Sequence, residues 1–230
     1  MNINDFNPNI KQIGTDEKVT FHCSKCGACC KNVRDSIMLT PMDAFYLIKN
    51  LWKKEPNLLP IDILEKYAYL KLLSENYPVY VLKSKGNTGH CIFLDNNRCS
   101  VYENRPYTCR LYPFTLDFDE YKNPQWLLCT EQKRHFNSGT VTADEWKNKY
   151  LSDEYFSFMK LQVEQIPELG KLIRSISGKD ANIQTEVLMN HYFLYDYDSS
   201  FLPQYERNMK ILKNKLLSLK DEEEGKSNMK

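Results

Sequence analysis

The sequence predicts an α+β protein, mainly helical, in which a small irregular cysteine-rich β-hairpin and loop region packs against several helices. Three observations predict it. All eight cysteines fall before residue 130. Short β-type apolar runs, punctuated by Asn, Gly and Pro, lie between them. Beyond residue 140 the apolar residues recur at helical spacing.

The chain has 230 residues, 42% hydrophobic and 27% charged, with a formal net charge of +1. That composition suits a globular protein with material for a core. A balanced charge gives no general pull toward nucleic acid or an anionic membrane, so neither is expected as a partner. No stretch approaches the ~18–20 consecutive apolar residues of a membrane-spanning helix. The N-terminal stretch from Met1 to Gly14 is polar and Asn-rich, unlike a secretory leader. A cytoplasmic protein is expected, and there clustered cysteines bind metal or do redox work more often than they form disulfides. The rival, a disulfide framework in an exported protein, would make a strained vicinal pair of Cys29 and Cys30.

Three regions are predicted: a cysteine-cluster metal-binding domain over 1–140, a helical region over 141–218 packed on it, and a disordered tail over 219–230. Thr40-Pro41-Met42-Asp43 reads as a helix start, with a capping hydroxyl, Pro at the first helical position and an acid in the first turn. That helix runs to about Trp52. A second is predicted over Ile61–Glu75, with Leu64, Tyr67, Ala68 and Leu72 on one face. Pro78 ends it, and Val79–Leu82 reads as a strand. Cys91–Leu94 and Cys99–Tyr102 flank Asp95-Asn96-Asn97-Arg98, a hairpin turn. Tyr112–Phe118 and Trp126–Cys129 read as further strands. Thr142-Ala143-Asp144-Glu145 fits a capping box. Amphipathic helices follow over about 153–176, 183–197 and 204–219, where Phe156, Met159, Leu161, Val163 and Ile166 read as core.

The chemistry lies in Cys23-Ser24-Lys25-Cys26-Gly27-Ala28-Cys29-Cys30. Two cysteines two residues apart form a turn that aims both sulfurs at one ion, and distant cysteines complete the shell. Gly27 lets the backbone curl there. The candidate metal ligands are Cys23, Cys26, Cys29, Cys30, Cys91, Cys99, Cys109 and Cys129. Thiolates are soft donors that select Zn²⁺, Cu(I) or iron–sulfur clusters. Eight thiols match two tetrahedral shells; one four-cysteine centre with spare thiols fits as well. The spacing differs from the bacterial ferredoxin run, in which the fourth cysteine follows three residues after the third and precedes a proline. Lys25, Lys31, Arg34, Arg98 and Arg110 neighbour cysteines and would soften the negative field of bound thiolates.

His22 and His90 each precede a cysteine, so either could replace a thiolate in a mixed site. With eight cysteines present, both are read as outer or exposed residues, and so is His135. His191 is read as structural. Arg105 and Arg110 either orient ligands around Cys109 or form ordinary salt bridges. Pro106 and Pro113 would stiffen that loop. The run Tyr192-Phe193-Leu194-Tyr195-Asp196-Tyr197 lacks the basic patch of a base-stacking surface and reads as packing. The chain contains no P-loop, dinucleotide fingerprint or G-x-S-x-G.

The order Cys23-x-x-Cys26-Gly27-Ala28-Cys29-Cys30, Cys91-Ile92-Phe93-Leu94, Cys99-Ser100-Val101-Tyr102 and Arg105-Pro106-x-x-Cys109-Arg110-x-Tyr112-Pro113-Phe114 resembles the YkgJ-type cysteine-cluster family. This is the CxxCxxCC domain of zinc- or iron-chelating proteins. The resemblance covers about 20–150. Cys129, Gly139 and Thr142–Glu145 are similar to later features of that family, although Thr130-Glu131 replaces its usual Pro-Gly. It implies metal chelation and no particular reaction. More distant relatives include flagellin lysine methylases, but no glycine-rich nucleotide loop supports a methyl-donor site here. The cofactor expected is an iron–sulfur cluster of the 4Fe-4S type, with Zn²⁺ as the alternative. The corresponding functions are a redox or electron-transfer protein with a protein partner, a structural zinc module presenting an interaction surface, and a metal-assisted enzyme.

Overall fold

The structure is a computed structural model that describes residues 9–34, 36–176 and 180–227, without the side chains of 223–227. In chain order the elements are β1 (Ile10–Ile13), β2 (Met38–Leu39), α1 (Pro41–Trp52), α2 (Pro60–Tyr67), β3 (Ala68–Ser74), β4 (Tyr77–Leu82), β5 (Ser84–Lys85), β6 (His90–Cys91), β7 (Leu94–Asp95) and β8 (Arg98–Cys99). They continue with α3 (Tyr107–Leu111), β9 (Phe114–Phe118), β10 (Pro124–Cys129), α4 (Ala143–Tyr150), α5 (Asp153–Ser175), α6 (Ala181–Leu188) and α7 (Phe201–Ser227). Short 3₁₀ turns include Ala28–Cys30 and Lys133–His135, and a π-turn over Met189–Phe193 extends α6. The predicted α+β class holds: the chain is 49% helical, with small sheets of two or three strands. Among the described residues, no helix is long and apolar enough to cross a membrane.

The chain forms two compact units that are discontinuous in sequence: Met1–Ile37 with Ser84–Lys160, and Met38–Lys83 with Leu161–Lys230. The expected division at 140/141 differs from this, because residues 38–83 leave the cysteine-bearing unit. The last helix is continuous through Leu219 to Ser227, across most of the stretch expected to be a disordered tail; residues 228–230 lie outside the described part.

In the first unit β10 lies between β1 and β9, both antiparallel to it, with Ile10 opposite Cys129 and Leu128 opposite Phe114. Two small hairpins, β5–β6 and β7–β8, carry Cys91 and Cys99. At the β7–β8 turn Asn96 and Asn97 both have positive φ, 44° and 58°, as a two-residue hairpin of this twist requires. Helix α4 begins on the expected box: Thr142 Oγ1 accepts from Glu145 N while Glu145 Oε2 accepts from Thr142 N. The apolar floor of the unit is aromatic, with Phe21 edge-on to both Tyr112 and Trp146.

In the second unit β4 lies between β2 and β3, and α1, α2, α6, α7 and the C-terminal half of α5 supply the rest of the core. Helix α1 starts as predicted, with Thr40 capping Asp43 N. The predicted second helix does not run to Glu75: it stops at Tyr67, and Ala68–Ser74 forms β3 instead. The reason is β4. Its Val79, Tyr80, Val81 and Leu82 are all buried, and such a strand needs ladder partners on both edges. Ala68 to Ser74 supplies one of them, pairing from Ala68–Leu82 to Ser74–Tyr77.

The inward face of α5 also differs from the reading. Tyr155, Phe158, Met159, Leu169 and Ile173 are buried, whereas Phe156, Leu161, Val163 and Ile166 are half-buried. Tyr192 and Tyr197 pack inward, as read.

Candidate metal centre

The cysteine motif is shaped by its backbone. Lys25 and Gly27 both adopt left-handed conformations, φ 53° and 69°. Gly27 heads the 3₁₀ turn Ala28–Cys30, closed by Cys30 N donating to Gly27 O at 3.0 Å and Lys31 N to Ala28 O at 3.1 Å. A side chain at Gly27 has no room: a β-carbon would meet Asn97 O at 2.6 Å and Leu94 Cδ1 at 2.8 Å. The motif is therefore seated on the β7–β8 hairpin, which carries Cys99.

Six of the eight predicted ligands, Cys23, Cys26, Cys29, Cys30, Cys99 and Cys109, line one cavity of about 40 Å³. They come from three separate stretches of chain: the N-terminal motif, the β7–β8 hairpin and α3. Cys91 and Cys129 are not among the lining residues; Cys91 is buried on β6 and Cys129 ends β10. None of the eight is in a disulfide. Larger clefts of about 230 and 510 Å³ occur in the second unit, and no cysteine lines them.

Cys29 Sγ and Cys30 Sγ stand 3.9 Å apart. Two thiolates on one tetrahedral ion stand about 3.8 Å apart, so this spacing already suits shared ligation. As placed, no group of three Cys, His, Asp or Glu side chains among the described residues is arranged to hold an ion. Side-chain rotation would have to complete a shell.

The thiols differ electrostatically. Burial pushes Cys26 up, but hydrogen bonds from Ser24, His135 and the Ala28 backbone outweigh it and bring the thiol down to about 6. Cys29 and Cys30 form a thiol–thiol hydrogen-bonded pair. The bond from Cys30 brings Cys29 down to about 7, while the same bond and burial push Cys30 up. Burial also raises Cys91 and Cys99.

Cations attend the cavity. Arg105 stacks on Tyr102 at 3.7 Å from the ring centre, donates Nε–H to Tyr102 O at 2.8 Å and reaches Cys109 O at 3.5 Å. Lys25 Nζ lies 4.8 Å from the centre of the same Tyr102 ring. Arg134 Nη2 donates to Cys26 Sγ at 3.5 Å. Arg110 instead stacks on Tyr155, 4.7 Å from the ring centre.

Of the histidines, His22 and His90 do not line the cavity, and His191 is buried in the second unit. His135 does line it, with Nε2 3.2 Å from Cys26 Sγ. The 3₁₀ turn Lys133–His135 brings it there, tied down by His22 N donating to His135 O at 2.9 Å.

The donor set fits a soft or borderline metal: six thiols and an imidazole face one small space, with positive groups at its margin. Cys23, Cys26, Cys29, Cys30, Cys99 and Cys109 are the side chains that could hold it.

Comparison with known proteins agrees with this chemistry. Residues 22–135 match the family model CxxCxxCC, described as a "putative zinc- or iron-chelating domain". An uncharacterized protein of Methanocaldococcus jannaschii is 26% identical over 161 residues, covering 64% of this chain and 71% of the relative. No solved structure matches the chain. The matched stretch spans the motif, both small hairpins, α3 and the turn that ends at His135. Residues 22–135 thus belong to the CxxCxxCC family.

Proposed function

We propose that this protein carries an iron–sulfur centre of the 4Fe-4S type in residues 22–135 and exchanges electrons with a partner protein. The observation that carries the reading is the convergence of six thiols from three stretches on one cavity. Four thiolates suffice for such a cluster, so the set is ample. Lys25, Arg105 and Arg134 near the thiols would offset the cluster's negative charge. Cys29 is exposed, which leaves one side of the cavity within reach of a redox partner. Eight free thiols suit a reducing, cytoplasmic setting.

One observation favours a second reading. The cavity, about 40 Å³, has room for about three water-sized spheres. That suits a single ion, so a structural Zn²⁺ that stiffens a partner-binding surface is the competing function. Purification without oxygen, followed by analysis for iron, acid-labile sulfide and zinc, separates the two. Brown protein with matching iron and sulfide, bleached by reductant, is expected. Colourless protein with stoichiometric zinc would replace the first reading with the second.

A further inference from the structure

His135 is placed as ligands are placed. It is 6% exposed, on a turn fixed by the His22–His135 backbone bond. Phe21 meets its ring edge-on at 6.0 Å and Tyr112 at 6.4 Å, which leaves the imidazole little freedom. Its Nε2 faces Cys26 Sγ at 3.2 Å inside the thiol-lined cavity. A sulfur and an imidazole nitrogen bound to one tetrahedral ion stand about 3.6 Å apart. The pair is thus near ligand separation before any metal enters. Its other nitrogen, Nδ1, is buried with no hydrogen-bond partner. An orphaned buried nitrogen on a cavity-lining ring is one mark of a water or ion that belongs to the site.

We propose that an imidazole nitrogen of His135 is a direct ligand, so that the centre is a mixed cysteine–histidine site with Cys26 and His135 as adjacent donors. This rests on the reading of residues 22–135 as a metal centre and extends it to a residue outside the cysteine pattern. An imidazole donor is neutral where a thiolate is anionic. It lowers the negative charge of the centre and, in an iron–sulfur site, raises its reduction potential.

The test is X-ray absorption at the edge of the bound metal, on the full chain purified without oxygen and without a polyhistidine tag. Imidazole multiple scattering is expected in the wild-type spectrum and in the double variant His22→Ala/His90→Ala. It is expected to vanish in His135→Ala, which should also lose metal to a chelator about tenfold or more faster. His135→Cys should keep the metal with a sulfur-only shell. The double variant leaves His135 in place, so the assignment stands or falls even if His135→Ala does not fold. A sulfur-only shell in the wild type, or imidazole scattering that persists in His135→Ala, overturns this proposal and leaves the metal-centre reading intact. Wild-type protein that holds neither iron nor zinc overturns both.

Discussion

Gly27 lies directly against Asn97: a β-carbon on the glycine would stand 2.6 Å from the asparagine carbonyl oxygen. The cysteine motif therefore depends on a residue with no side chain at the point where it crosses the β7–β8 hairpin. Gly27→Ala is expected to pay twice. The left-handed φ of 69° costs a residue with a side chain about 1–2 kcal/mol, and the clash adds to it. Gly86 provides the control, since its φ is 49° and nothing lies within 4 Å of where its β-carbon would be. Thermal melts and metal content read the difference. Gly86→Ala should lose only the backbone component and keep its metal, whereas Gly27→Ala should melt lower and retain little.

His191 gives the second unit a dependence on acid. It is fully enclosed, with Nε2 3.1 Å from Met209 Sδ and the Tyr77 and Tyr205 rings beside it. Burial lowers its pKa to about 4. The unfolded chain therefore binds a proton near pH 6.5 that the folded chain refuses until about pH 4. The stabilising difference is fully present above pH 6.5 and is lost as pH falls through that interval to about 4. Its full size is on the order of 3 kcal/mol. Urea titrations at successive pH values should show that slope in the wild type. It should be much reduced in His191→Gln, which cannot take up the proton.

Much of the fold was legible where a signal is local. Thr40-Pro41-Met42-Asp43 and Thr142-Ala143-Asp144-Glu145 announce helices through caps that operate within three residues, and both helices start there. Asn96-Asn97 announced its hairpin in the same way. The misreadings share the opposite cause. Leu64, Tyr67, Ala68 and Leu72 do have helical spacing, but the demand of β4 for an edge partner, a contact made elsewhere in the chain, takes Ala68–Ser74 into a sheet. Ile10–Ile13, in a polar terminus with no strand signature, is a strand because β10 offers it a ladder. In the site, the cysteines announced themselves by spacing. His135 lies 109 residues from Cys26 and has no neighbour in sequence that marks it; only the turn at Lys133–His135 and its bond to His22 bring it to the thiols.

The cap on α1 can be weighed on its own. Thr40 Oγ1 accepts from Asp43 N at 3.1 Å, and Asp43 Oδ2 accepts from Thr40 N at 3.1 Å. The helix behind it buries Met42, Ala44, Phe45, Leu47 and Ile48. Thr40→Ala removes one half of the box and is expected to cost about 1 kcal/mol. Thr40→Ser should restore most of it. Chemical denaturation of the three proteins gives the comparison, and equal midpoints would show that the Thr40 hydroxyl contributes nothing to the cap.

Arg105 offers a sharper test of how the ligand loop is held, because charge and shape can be separated there. Its guanidinium carbon lies over Tyr102, 3.7 Å from the ring centre, while Nε–H and Nη1–H reach the carbonyls of Tyr102 and Cys109. One planar fork thus joins the turn after β8 to the short helix bearing Cys109. Lysine keeps the positive charge but has neither the planar face nor the fixed pair of donors. If the residue acts only through its charge, Arg105→Lys should bind metal as the wild type does. The geometry predicts otherwise: Arg105→Lys should fall close to Arg105→Ala, each with metal affinity lowered about 10–100-fold, as for other residues that orient ligands from behind. Competition against a chromogenic chelator measures this. Wild-type affinity in the lysine variant would assign the role to charge alone.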